Sequence, residues 1–129
     1  RATNVIGVGD EVGFRIDIRG VADLHQPECG IVITNDRRQR VVVFHNLCHS
    51  RLALAASDAM TLTCTVPALP LVPGRYFIDL VCADDRRIIE RVEQATAIEV
   101  VFADVLGTGR LPSSSQGLVV LPGHWRVAC

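Results

Sequence analysis

The sequence has no lysine. All 13 basic residues are arginine, 14 acidic residues oppose them, and the formal net charge is −1. Such a balance sets up no basic field, which excludes nucleic acid as an expected partner. Long apolar runs are also missing, because Arg, Asp, Pro or Gly interrupts each one well short of the roughly 20 residues needed to cross a bilayer. A secretory or transit pattern is absent too, and the chain opens on Arg1 rather than Met, as expected of a piece excised from a longer protein. The five cysteines, Cys29, Cys48, Cys64, Cys82 and Cys129, are odd in number. The first four sit in or beside apolar runs, where a thiol packs as a small hydrophobe. Reduced, buried thiols are therefore expected, and with them a cytoplasmic setting.

Catalytic patterns are equally thin. The tightest group of ligand-type residues is HNLCH, residues 45–49, but zinc sites take four N or S ligands, usually as two pairs, and no second pair matches. A strand-end histidine and a core cysteine account for it better. No glycine-flanked serine elbow occurs, and no cysteine lies in a catalytic context. Asp84-Asp85 falls in a turn, where solvation is the ordinary explanation. Neither an enzyme nor a cofactor is expected.

What the chain does have is strands. With 129 residues, 49% of them hydrophobic, it has enough material for one compact domain, residues 1–129. It is organised around VPALPLVPGRYFIDLVC, residues 66–82. Prolines 67, 70 and 73 predict a stiff crossover outside a sheet, and Pro73-Gly74 predicts a turn. Beyond the turn, Tyr76, Ile78, Leu80 and Cys82 alternate with Arg75, Phe77, Asp79 and Val81, the pattern of a strand with one buried face. Val12 to Gly20 and Met60 to Val66 alternate in the same way. The β-branched runs Cys29 to Thr34 and Val41 to Leu47 flank a polar turn and predict a hairpin, whose arginines 37, 38 and 40 are read as solvating the loop, with a polyanion contact as the alternative. Residues 48–59 predict loop with local helix at best. Ile88 to Ala95 fits helical spacing but is short, Thr96 to Phe102 is a strand, and residues 103–116 form an exposed loop. Gly117 to Leu121 and His124 to Ala128 are expected as a last strand or strand pair. No internal repeat is visible. The result is an all-β, antiparallel β-sandwich of about seven to nine strands.

The candidate site is a polar sheet face. Arg15, Asp17 and Arg19 on one strand and Phe77 and Asp79 on the central strand point away from the core, and the expectation is that both strands share one sheet. Planar, bidentate hydrogen bonding beside an aromatic ring suits the orientation and stacking of a sugar. An ordinary solvated face with surface ion pairs is the competing reading. His45 is placed near the same site. Trp125, the single tryptophan, either plugs the core or stacks on a ligand.

ALPLVPGRYFIDLVCAD, the following IIERVEQATAIEV, and the Gly117 to Trp125 segment together resemble the C-terminal domain of Wzt-type ATPase subunits of bacterial O-antigen polysaccharide ABC exporters. The family's Leu-Pro-Leu and Pro-Gly-x-Tyr elements correspond to residues 69–71 and 73–76. Its strand-end Asp corresponds to Asp84, its acidic link to Glu90 and Glu93, and its later strand to Ala97 to Val100. Its Gly-rich loop corresponds to Gly107 to Gln116, and its closing Trp to Trp125. GDEVGFRIDIRG and CGIVITNDRRQRVVVFHN match the early strands more loosely. The resemblance implies an immunoglobulin-like β-sandwich, usually a homodimer, that binds the finished end of the glycan and couples recognition to export at the inner face of the inner membrane, through an upstream ATPase domain and the membrane transporter subunit. A structural or dimerisation module without ligand is the alternative, and a small hydrolase a third. Binding residues in the family vary with the glycan, so the site residues Arg15, Asp17, Arg19, His45, Phe77, Asp79 and Trp125 rest on face alternation and not on motif.

Overall fold

A computed structural model of the protein describes residues 4–20, 22–55 and 57–128. Its strands follow the alternation of apolar side chains: β1 (Val5–Gly7), β2 (Val12–Arg19), β3 (Pro27–Asn35), β4 (Arg40–His45), β5 (Ala59–Val66), β6 (Gly74–Asp84) and β7 (Arg87–Val101), with one helix, α1 (Asn46–Ser50). Five strands form a sheet in the order β1-β7-β6-β3-β4, and β2 and β5 form a second sheet of two. All pairs are antiparallel except β1 with β7. This is the immunoglobulin-like β-sandwich expected from the sequence.

The core lies between the layers. β2 contributes Phe14 and Ile16 and β5 contributes Cys64 and Val66, while Ile31, Ile33, Tyr76, Ile78, Ile98 and Val100 face them from the larger sheet. Removing each such aliphatic side chain from water stabilises the fold by ~1.5–3 kcal/mol. The proline-rich crossover does not run outside the sheet as predicted. Leu69, Leu71 and Val72 are among the most buried side chains of the molecule, because the prolines hold the backbone extended while the intervening residues close one end of the core. Neighbouring segments satisfy its peptide groups: Gly9 N–H donates to the Leu69 carbonyl (2.8 Å), Val120 N–H to that of Pro70 (2.6 Å), and the Tyr76 hydroxyl to that of Val72 (2.6 Å).

Two segments take other conformations than the local pattern suggests. Ile88 to Ala95 continues β7 as strand, since pairing with β6 outweighs helical spacing in so short a segment. Residues 121–128 form no strand, and the segment before them keeps only the isolated bridge Leu71 to Val119. Pro122-Gly123 interrupts any ladder there. Trp125, 98% exposed, plugs nothing. The short parallel β1 carried no readable periodicity. Among the described residues no helix is long and apolar enough to cross a membrane.

The hairpin joining β6 to β7 turns at Asp85 (φ 51°) and Arg86 (φ 70°), the doubly positive pair of a type I′ turn. Non-glycine residues hold this conformation because the turn is tied down on the start of β3. Arg86 N–H donates to Glu28 Oε2 (2.7 Å), Gln26 N–H to Asp84 Oδ1 (2.7 Å) and Asp85 N–H to the Gln26 carbonyl (3.1 Å).

Candidate functional site

The sandwich has two outer faces, and the predicted site residues divide between them. Arg15, Asp17 and Arg19 point outward from the two-stranded sheet, where Arg15 Nε lies 3.6 Å from Asp17 Oδ1 and the Thr61 hydroxyl donates to the same oxygen (2.8 Å). Phe77 and Asp79 point outward from the five-stranded sheet. The expectation of one shared sheet is therefore corrected: β2 pairs with β5, β6 with β3 and β7, and the core separates the two groups. Both strands alternate equally well, and alternation says nothing about which strands pair.

On the larger face the register builds rows. Arg40, Thr34, Phe77 and Ala97 lie across β4, β3, β6 and β7; Val43, Val32 and Asp79 form the next row, and His45, Gly30, Val81 and Arg91 the one after. His45, Phe77 and Asp79 thus share a face. Arg75 places its guanidinium 5.5 Å from the Phe77 ring centroid, a cation–π contact that orients both side chains. Opposite Asp79 the ladder with β7 shifts register, and Gln94 adopts φ 51°. Its N–H donates to Asp79 Oδ1 (2.8 Å), so the carboxylate that is predicted to bind also closes the bulge. Beside this bulge lies a groove of about 400 Å³ lined by Thr34, Arg38, Arg40, Asp79, Glu93 and Gln94, a volume within the ~300–1,000 Å³ usual for small-ligand sites.

The wall of this groove is fixed by the β3–β4 turn. Asn35 is buried, its Oδ1 accepts from Arg37 N–H and Gln39 N–H (both 2.9 Å), and its Nδ2 donates to Gln39 Oε1 (2.8 Å). This bracket holds Arg38 at φ 60°. Sequence reasoning missed Thr34, Arg38, Arg40, Glu93 and Gln94 as neighbours of Asp79. The only local signal was the arginine-rich turn, and it was read as loop solvation.

His45 and His49 cap α1. His45 Nδ1 accepts from Leu47 N–H (3.1 Å), His49 Nδ1 accepts from His45 N–H (3.1 Å), and His45 Nε2 lies 3.3 Å from Glu28 Oε1. The Nδ1 contact with Leu47 turns the other ring nitrogen of His45 toward Glu28. Asn46 fastens the helix to the sheet by accepting from Cys29 N–H (2.8 Å) and donating to the Leu52 carbonyl (2.7 Å). Behind α1, on the β4 and β5 flank, a cavity of about 330 Å³ opens between the sheets, lined by Ile16, Ile31, Phe44, Leu62 and the thiols of Cys29 and Cys64 among others. Burial pushes the Cys29 thiol up to about 11, with the neighbouring Cys82 and Cys64 adding to the rise. Cys64 and Cys82 are raised as well, chiefly by burial. Cys48 differs from the buried thiol expected there and is exposed.

The architecture is that of an immunoglobulin-like sandwich with polar groups gathered on an outer sheet face. The chain belongs to the family of Wzt C-terminal domains, whose family model matches residues 1–120. Among solved structures it is similar to one described as the crystal structure of the C-terminal domain of wzt, with a TM-score of 0.74 at 11% identity, covering 96% of this chain and 74% of that one. At that identity the likeness speaks for the fold. No curated protein matches.

Proposed function

We propose that this domain is a non-catalytic carbohydrate-binding module that recognises the end of an O-antigen polysaccharide and couples it to export by an ABC transporter. Membership of the Wzt C-terminal domain family across residues 1–120 carries the reading. In it, residues 1–129 form one binding domain of a longer ATP-binding subunit that works at the cytoplasmic side of the inner membrane with the membrane transporter subunit. The outer face of the five-stranded sheet supplies the site: the Asp79 carboxylate accepts sugar hydroxyls, Phe77 offers a ring held by Arg75, and His45 lies one row beyond Asp79. Arg15, Asp17 and Arg19 give the opposite face a smaller polar patch, suited to a second segment of a long glycan. Recognition by several weak contacts gives modest affinity per site, which pairing in a homodimer raises.

A second reading, a dimerisation module without ligand, is favoured by the C-terminal segment. Leu121, Trp125 and Val127 are 68%, 98% and 89% exposed, and an extended apolar segment of this kind suits addition to a partner's sheet edge. The two readings separate in a heteronuclear NMR titration with the O-polysaccharide of the source strain and one from an unrelated strain. Saturable shifts with the cognate glycan alone, lost in Asp79→Ala with the fold retained, are expected. No shift from a folded sample at millimolar sugar overturns glycan recognition in favour of dimerisation alone.

A further inference from the structure

Arg38 and Arg40 share one groove with Asp79 and Glu93, yet no ion pair joins either arginine to either carboxylate. Among the described residues neither guanidinium has a hydrogen-bonding, ionic or ring partner. Both side chains are exposed, on a backbone that the turn holds in place. Arg40 is the first residue of β4, opposite Thr34, and Arg38 is held by the Asn35 bracket. Their neighbour Arg37 belongs instead to a separate cleft beside Pro73 and Gly74, so the groove takes two of the turn's three arginines.

The groove is therefore bipolar. Two unpaired guanidinium groups offer forked donors that match a carboxylate or phosphate. Asp79 keeps Oδ2 for hydroxyl donors while Oδ1 holds the Gln94 N–H, and Glu93 adds a second acceptor group. A neutral sugar would offer the guanidinium groups only hydroxyl oxygens, weaker acceptors than a carboxylate or phosphate. A bare anion would use the arginines and meet repulsion from Asp79 and Glu93. One ligand uses both ends, namely a sugar ring that bears an acidic group on one side and hydroxyls on the other.

We propose that the groove between the β3–β4 turn and the β7 bulge binds an acidic sugar residue, its carboxylate or phosphate on Arg38 and Arg40 and its hydroxyls on Asp79 and Glu93. The inference rests on the glycan-binding reading and names the kind of sugar.

The test is NMR of the intact domain at low salt, following the arginine Nε–H signals. The probes are methyl β-D-glucuronide, glucose 1-phosphate, methyl β-D-glucoside and inorganic phosphate, each at millimolar concentration, with the cognate polysaccharide in parallel. The expected result is saturable shifts of Arg38 and Arg40 with at least one acidic sugar and binding of the neutral glycoside weaker by roughly tenfold or more. Comparison of the glucuronide with the sugar phosphate tells which acid the groove takes. Arg38→Gln and Arg40→Gln should each bring the acidic sugar down toward the neutral glycoside without lowering Tm. Equal binding of the neutral glycoside, or of inorganic phosphate alone, overturns the acidic-sugar inference and leaves glycan recognition standing. Binding of the polysaccharide with both arginines silent does the same. Silence toward every probe and the polysaccharide overturns both.

Discussion

Cys29 shows how a single side chain sets the response of the domain to alkali. Its thiol is buried between the sheets and held neutral, raised from a usual value of 9.0 to about 11. In the unfolded chain the thiol ionises near pH 9; in the folded one it keeps its proton until about pH 11. Stability from this group is therefore complete below pH 9 and is lost as pH rises through about 11. Tyr76 acts in the same direction from pH 10 upward, raised first by burial and then by the nearby Asp36. Denaturant melts at pH 8, 9, 10 and 11 should show a steady fall, and Cys29→Ala should flatten it between pH 9 and 11. An unchanged slope in the variant would show that the thiol is not held neutral by the fold. At this scale the sequence was informative about Phe77 and Asp79, because alternation assigns each a face, and about Cys29, because it opens an apolar run. It misjudged Cys48, which follows an apolar run but lies on an exposed turn of α1.

Among the elements, the β3–β4 turn depends most on one residue. Asn35 satisfies two backbone donors and one side-chain acceptor from a buried position. Asn35→Ala should cost about 1–3 kcal/mol, the range for leaving buried polar groups unpaired, and should broaden the Arg38 and Arg40 signals. Thermal melts and the same NMR spectra check both effects, and Asn35→Asp, which keeps the acceptor oxygens, should recover part of the loss. The strands themselves were legible, since β2, β5 and β6 each announce one buried face by period. Their distribution between sheets was not, because pairing is decided by contacts between residues far apart in the chain. The groove was hidden for the same reason: Gln94 reaches Asp79 only through a bulge in β7, and Arg40 reaches Thr34 only through a shift in the register of β3 and β4.

At the scale of the whole molecule, the second layer has two strands, and among the described residues both β2 and β5 keep a free edge. Cavities open between the layers on either flank, one behind α1 and one between β2 and the β6–β7 ribbon. The C-terminal segment carries the exposed Leu121, Trp125 and Val127 and, among the described residues, no ladder of its own. Truncation after Leu121 should leave Tm within a few degrees, since residues 122–128 are all exposed. If the protein forms the proposed homodimer through this segment, the same truncation should turn it into a monomer by analytical ultracentrifugation; a truncated protein that stays dimeric would place the interface elsewhere.

The parallel pairing of β1 with β7 has a consequence for how the molecule is made. Val5–Gly7 meets Glu99–Val101, so β1 finds its partner only after every other strand of the two sheets has been made. Closing so long a loop costs chain entropy before any contact repays it, and folds dominated by such distant pairings assemble in roughly milliseconds to seconds. Until then Ile6 and Val8 lack the neighbours that bury them in the finished core, and the edge formed last is also the one that opens at least cost.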